Sequence, residues 1–105
     1  MNLLYLNDYL RLNQLERGVI RLATDMDDCS VSDFLDEFGY IQTLPGVRAI
    51  TLEIMSPGGE CYAAFAAYDV ILASSKPVTG LVLGYAASVA SMVVLQACSL
   101  RLAYP

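Results

Sequence analysis

The sequence has 105 residues, of which 56% are hydrophobic and 16% are charged, and its formal net charge is −5 at pH 7. This length allows one small domain, and an acidic balance with scattered basic residues argues against a nucleic-acid interface. The apolar residues exceed what one small core can bury, which indicates burial against other chains or a membrane.

Helix and strand patterns alternate along the chain. In chain order, we predict a helix at 4–16, a strand at 18–23, a helix at 31–44, a strand at 48–55, a helix at 60–75, a strand at 78–83, a helix from about residue 87 and a strand at 100–104. Ser30 or Ser32 is the expected cap of the second helix. The alternation predicts an α/β protein with parallel strands.

Several classes of site and segment are disfavoured. The acidic run 25–28 lacks the ligand spacing of a calcium loop. The cysteines, at 29, 61 and 98, have no zinc or disulfide spacing, so we interpret them as small buried residues in a reducing compartment and expect no metal. Charged residues interrupt the N-terminal apolar run, so no targeting segment is predicted.

The uncharged run 78–100 has two interpretations. It is long enough to cross a bilayer as one helix. Its first half, however, follows Pro77, is β-branched and contains glycine, which favours a buried strand followed by a turn and a buried helix. We favour the second interpretation, and the membrane helix is the alternative.

Two small-residue corners, SPGG at 56–59 and GYAAS at 84–88, follow predicted strands and precede predicted helices. Ligands bind at this edge of parallel sheets, where free backbone N–H groups face the site. Ser88 as nucleophile, with the N–H groups of Gly59 and Val89 as an oxyanion hole, would form an acyl-transfer site. An ordinary turn and an N-capping serine are the competing interpretation. Neither a dinucleotide fingerprint nor a phosphate loop is present.

The same residues carry a family resemblance. IMSPGGECYAAFAAYDVI, then KPV, then GYAASVASMVVLQA closely resemble the proteolytic subunit of Clp protease (ClpP), and LERGVIRLA is similar to the lead-in and first strand of that family. The resemblance implies one ClpP-like domain over residues 1–105, with the ClpP/crotonase-like spiral of β-β-α units. By this resemblance the domain is the N-terminal part of the family fold, without the C-terminal part and the handle.

The resemblance also implies a function and partners. It makes Ser88 the nucleophile of a serine-type endopeptidase, with oxyanion N–H groups from Gly59 and Val89. It implies homo- or hetero-oligomers in heptameric rings, unfolded polypeptide substrates, and an AAA+ unfoldase that uses the ATP, so that this chain needs no cofactor. Cytoplasmic or organellar localisation is expected, with no nucleic-acid or membrane partner.

The chain departs from the family at the catalytic base. The family places its His and Asp beyond the strand at which this sequence stops, and none of the 105 residues is His. We therefore expect no appreciable peptidase activity from the chain alone. The alternatives are a base supplied from outside these residues and a non-catalytic subunit that modulates complete Clp rings. In the related signal peptide peptidase A type the base is a lysine, but Lys76 precedes the strand that leads to Ser88. Crotonase-type acyl-CoA enzymes share the oxyanion geometry but not the A-A-S pattern.

Overall fold

The computed structural model describes residues 5–105. The elements are α1 (Leu6–Glu16), β1 (Val19–Leu22), α2 (Asp28–Gln42), β2 (Ile50–Ser56), α3 (Cys61–Leu72), β3 (Val78–Ala86), a π-helical segment (Ala90–Val94) that runs directly into α4 (Leu95–Ala97), and β4 (Leu100–Ala103). The predicted alternation of helices and strands is confirmed.

The four strands form one parallel sheet in the order β1-β2-β3-β4. Each strand therefore lies beside its predecessor, and a helical segment makes each connection. The helices contact one another in chain order, α1 with α2, α2 with α3, and α3 with the π-helical segment. Such a sequence of contacts places the helices in one layer against the sheet.

The core lies between this helical layer and the sheet. In β2, Ile50, Leu52 and Ile54 are buried, whereas the alternate residues Thr51 and Glu53 are half-buried. This period of two is expected for a strand with one covered face. The helices contribute further buried side chains, including Phe34, Phe38, Ile41, Ala64, Ala67 and Ile71.

The start of α2 differs from the prediction. The helix begins three residues earlier, and Asp27 is its cap rather than Ser30 or Ser32. The Ser30 N–H donates to Asp27 Oδ1 at 2.8 Å, and the Asp27 N–H donates to Ser30 Oγ at 3.0 Å. This reciprocal capping box satisfies two N–H groups that the helix leaves free, and it uses part of the acidic run as the helix start.

The end of α2 is stabilised by the single lysine of the sequence. Lys76 Nζ donates to the carbonyl oxygens of Ile41 and Leu44 at 2.7 and 2.6 Å. A cation at this position also interacts favourably with the negative end of the helix dipole. Lys76 is therefore a C-terminal cap supplied from another element.

The uncharged run 78–100 is divided among β3, the π-helical segment, α4 and the start of β4. The favoured interpretation of this run is confirmed. In residues 5–105 no helix has both the length and the apolar character needed to traverse a bilayer.

The three cysteines differ in their environments. Cys29 and Cys61 are exposed, so the prediction that they are buried is wrong, because both lie at helix starts on the surface. Cys98 is buried, as predicted. Burial raises the pKa of the Cys98 thiol to about 11, and the nearby positive charge of Arg101 opposes this shift.

Candidate active site

The loop after β2 and the turn after β3 lie side by side at the carboxyl-terminal edge of the sheet. We call residues 56–60 the glycine loop and residues 86–89 the serine turn. Ser56 pairs with Ala86, and the Ala87 N–H donates to the Ser56 carbonyl oxygen at 3.0 Å. The two corners identified in the sequence therefore meet at the edge where parallel α/β sheets bind ligands.

A bulge in β3 sets the position of the serine turn. Ile54 pairs with Val82, but the next pair is Ser56 with Ala86, so β3 has additional residues over this interval. Gly84 lies in the bulge with φ of 75°, a conformation that glycine adopts at low cost. Bulges beside active sites commonly redirect a side chain. The sequence predicts that this strand ends at residue 83, and the bulge extends it to Ala86.

Ser88 occupies a strained backbone position at the end of this turn. Its φ is 52°, and it is the only residue other than glycine with positive φ among residues 5–105. It is exposed. Strain of this kind concentrates at functional sites. The helix predicted from about residue 87 is present, but it begins at Val89 because the left-handed Ser88 delays the helical conformation, and residues 90–94 of it are π-helical.

The ordinary capping role does not fit Ser88. The following π-helical segment has Val89 at its cap position and no side-chain cap bond. Within residues 5–105 the Ser88 hydroxyl makes no hydrogen bond. Its hydroxyl is available to a ligand.

Gly58 brings the glycine loop into direct contact with Ser88. A Cβ atom on Gly58 would lie 2.8 Å from the Ser88 Cβ and 3.2 Å from the Val89 nitrogen. Only glycine allows this approach, because any other side chain would separate the two segments.

The Gly59 N–H group is oriented by a bridge to Met26. The Met26 N–H donates to the Gly58 carbonyl oxygen at 2.8 Å, and the Glu60 N–H donates to the Met26 carbonyl oxygen at 2.9 Å. In this parallel bridge Met26 forms its two hydrogen bonds with Gly58 and Glu60, the residues on either side of Gly59. The N–H of Gly59 therefore points away from Met26. Among residues 5–105, the N–H groups of Gly59 and Val89 donate no hydrogen bond. Two free donors therefore flank the contact with Ser88.

No titratable side chain forms a hydrogen bond with the Ser88 hydroxyl within the described residues. Lys76, the base considered for the peptidase A type, lies at the opposite end of β3 and caps α2. A cavity of about 500 Å³ lies between α1, β1 and α2, and neither the glycine loop nor the serine turn lines it. The candidate site is therefore separate from this cavity.

Two contributors to the site were missed by the sequence reasoning. Met26 and Ser56 hold the glycine loop through hydrogen bonds, and both are almost completely buried. The sequence places Ser56 in the SPGG corner and assigns it no role of its own. No local pattern identifies either residue, because their partners are distant in sequence.

The parallel sheet, with a strained exposed serine beside a glycine loop at its carboxyl-terminal edge, defines the structural class of the chain as α/β. The family model described as Clp protease matches residues 6–105. The chain belongs to the Clp protease family, and the predicted fold class, a partial ClpP-like α/β domain, is confirmed.

Curated relatives have the same family assignment. The chain is 36% identical over 86 residues to ATP-dependent Clp protease proteolytic subunit 1 of Corynebacterium glutamicum, covering 82% of this chain and 40% of that protein. It is 37% identical over 86 residues to the subunit 1 of Rhodococcus jostii, covering 82% and 38%. It is 33% identical over 90 residues to the subunit 1 of Chlamydia pneumoniae, covering 86% and 47%. The chain thus spans less than half the length of these relatives.

Proposed function

We propose that this chain is a serine-type endopeptidase subunit of an ATP-dependent Clp protease assembly, with Ser88 as its nucleophile. The observation that carries the proposal is the contact between the exposed, strained Ser88 and the glycine loop. The N–H groups of Gly59 and Val89 donate no hydrogen bond among residues 5–105, which supports their assignment as oxyanion donors. The family and the names of the relatives support the reaction class.

The proposed chemistry is acyl transfer. Ser88 Oγ attacks the peptide carbonyl carbon, and its proton passes to a general base. The Gly59 and Val89 N–H groups stabilise the negative carbonyl oxygen. Collapse of the tetrahedral intermediate breaks the C–N bond, and the base returns the proton to the departing amine. Water then hydrolyses the acyl-serine by the same steps.

The base lies outside these 105 residues, none of which is His. We assign it by family resemblance to an imidazole, supplied by further sequence of the same protein or by a partner subunit. Without a base the serine hydroxyl remains protonated near neutral pH and reacts slowly.

The proposed setting is an oligomer of ClpP-type subunits in the cytoplasm or an organelle, supplied with unfolded polypeptide by an unfoldase that hydrolyses ATP. Exposed apolar side chains support the assembly. Tyr62 of α3 is 87% exposed and Met92 of the π-helical segment is 75% exposed, and several other large apolar side chains of the described residues are exposed with them. Heptameric rings are part of the proposal by resemblance.

The second candidate is a non-catalytic subunit that joins and modulates complete Clp rings. The observation that favours it is the absence of His from a chain that otherwise keeps the family pattern. The two candidates share the assembly and differ only in whether Ser88 reacts.

A fluorophosphonate probe separates the two candidates. We expect Ser88 to be labelled in the intact assembly from the native source, and to be labelled at least about 100-fold more slowly in the isolated 105-residue chain. Peptide mass spectrometry identifies the labelled serine, and Ser88→Ala is the control. Labelling of the accompanying subunits without labelling of Ser88 would refute the catalytic proposal. A changed peptidase rate on co-assembly would then support the modulator.

A further inference from the structure

We propose that Ser56 is a positioning residue that holds the oxyanion N–H of Gly59 in place. This inference rests on the proposed function and adds a residue that acts through the glycine loop rather than on the substrate. Ser56 has 0% of its surface exposed and is the only buried polar residue among residues 5–105. A fully buried hydroxyl requires hydrogen-bond partners, and those partners show what it organises.

Both partners of the Ser56 hydroxyl are backbone groups at the site. Ser56 Oγ donates to the Thr24 carbonyl oxygen at 2.7 Å and accepts from the Gly58 N–H at 3.1 Å. One side chain thus joins the segment after β1 to the glycine loop. The hydroxyl is suited to this because it donates and accepts simultaneously.

The hydrogen bonds of Met26 are the second support of the glycine loop. Met26 follows Thr24 closely, so the same segment bonds to the loop on both sides of Gly59, through the Gly58 carbonyl oxygen and the Glu60 N–H. On the other side the loop is in contact with Ser88. The loop is therefore held between two segments, and Ser56 is its only side-chain connection to Thr24.

The consequence for catalysis follows from the geometry of oxyanion holes. A donor must lie about 2.7–3.1 Å from the developing oxyanion, and loss of one donor lowers kcat about 100- to 1,000-fold. Ser56→Ala keeps both oxyanion N–H groups but removes one of the supports of Gly58. We expect the reaction of Ser88 to slow by roughly 10-fold to 100-fold, the range expected for a misplaced group.

The chain offers a matched control at the opposite edge of the sheet. Ser74 Oγ donates to the Lys76 carbonyl oxygen at 2.7 Å and accepts from the Lys76 N–H at 3.1 Å. These two bonds have the same type and length as those of Ser56. Ser74 Oγ also accepts a hydrogen bond from Gln42 Nε2 at 2.8 Å. Ser74→Ala therefore removes at least as many hydrogen bonds from a loop that is remote from Ser88.

The first measurement is the rate of fluorophosphonate labelling of Ser88 in the assembly, for the unsubstituted chain, Ser56→Ala and Ser74→Ala. We expect slow labelling only in Ser56→Ala, with a lower maximal rate and an unchanged probe concentration at half-saturation. Equal rates in the two variants, at similar thermal stability, would overturn the inference.

The second measurement does not depend on chemistry at Ser88. Amide hydrogen exchange in the isolated chain should accelerate in Ser56→Ala at Gly58, whose N–H donates to Ser56 Oγ, and at Glu60, whose N–H donates to Met26. It should stay unchanged at both positions in Ser74→Ala. Unchanged exchange at Gly58 and Glu60 in Ser56→Ala would overturn the positioning role. If Ser88 is not labelled in the unsubstituted assembly, the proposed function fails, and the exchange data alone decide whether Ser56 holds the loop.

Discussion

A series of glycine-to-alanine substitutions tests the account of the glycine loop. At Gly59 a Cβ atom would lie 2.9 Å from the nitrogen and the carbonyl carbon of Met26 and closer still to its carbonyl oxygen. All three are backbone atoms, so no side chain can move aside. Gly59→Ala must therefore separate the loop from Met26 and break two hydrogen bonds.

The expected loss of stability in Gly59→Ala follows from these broken hydrogen bonds and from the backbone conformation of Gly59. Each backbone hydrogen bond contributes about 1 kcal/mol net, and a non-glycine residue with positive φ costs about 1–2 kcal/mol. We expect Gly59→Ala to lower the free energy of unfolding by about 3–4 kcal/mol, the sum of these two terms. That is a large part of the stability of a small domain.

Two other glycines provide the comparison. Gly84 has φ of 75°, but a Cβ atom there would meet only Met55, at 3.9 Å or more. Gly84→Ala should therefore cost only about 1–2 kcal/mol, the backbone term. Gly39 lies within α2 with nothing within 4 Å of a Cβ atom. Gly39→Ala should stabilise the chain by about 0.5–1 kcal/mol, because alanine favours helix.

Urea unfolding followed by circular dichroism measures the series in the isolated chain. The expected order of stability is Gly39→Ala, unsubstituted, Gly84→Ala and Gly59→Ala. The reasoning would be refuted if Gly59→Ala were no less stable than Gly84→Ala. That result would mean that the Met26 bridge does not restrain the glycine loop.

Two further predictions concern the cap of α2 and the buried thiol. Lys76→Met should lower the free energy of unfolding by about 2 kcal/mol, because it removes two charge-assisted hydrogen bonds to the carbonyl groups at the end of α2. Lys76→Arg keeps the charge and should lose less stability in the same urea titration. Equal losses in the two variants would contradict the capping role of Lys76. Burial raises the pKa of Cys98 from 9.0 to about 11, so the unfolded chain ionises first and the native state loses stability as the pH rises from 9 to 11. Over that interval the unsubstituted chain should lose about 2 kcal/mol more than Cys98→Ala. Cys61→Ala, at an exposed thiol, is the control and should follow the unsubstituted chain; parallel pH profiles for all three proteins would contradict the assignment.

The sequence predicted the elements that depend on local patterns. Periodicity located the helices and strands, and their alternation indicated the parallel sheet. The two corners could be placed at one edge because the carboxyl ends of parallel strands lie together. This argument also identified Ser88, Gly59 and Val89 as candidates.

The sequence was less informative about where the helices begin. Ser30 has a good capping residue type, yet Asp27 caps α2 and Ser30 completes the capping box. The alanine-rich run after residue 87 has helical composition, yet its first turns are irregular. The left-handed conformation of Ser88 is imposed by the bulge and by close packing on Gly58.

The class of fold, the family resemblance and the two corners could be predicted from the sequence, because they depend on residue types and spacing along the chain. The contacts that hold the corners together are visible only in the folded structure. Ser56 bonds to Thr24, and Met26 bridges Gly59, across more than thirty intervening residues in each case. Such bonds leave no periodic signal, since they depend on how the ends of β1, β2 and β3 meet in space.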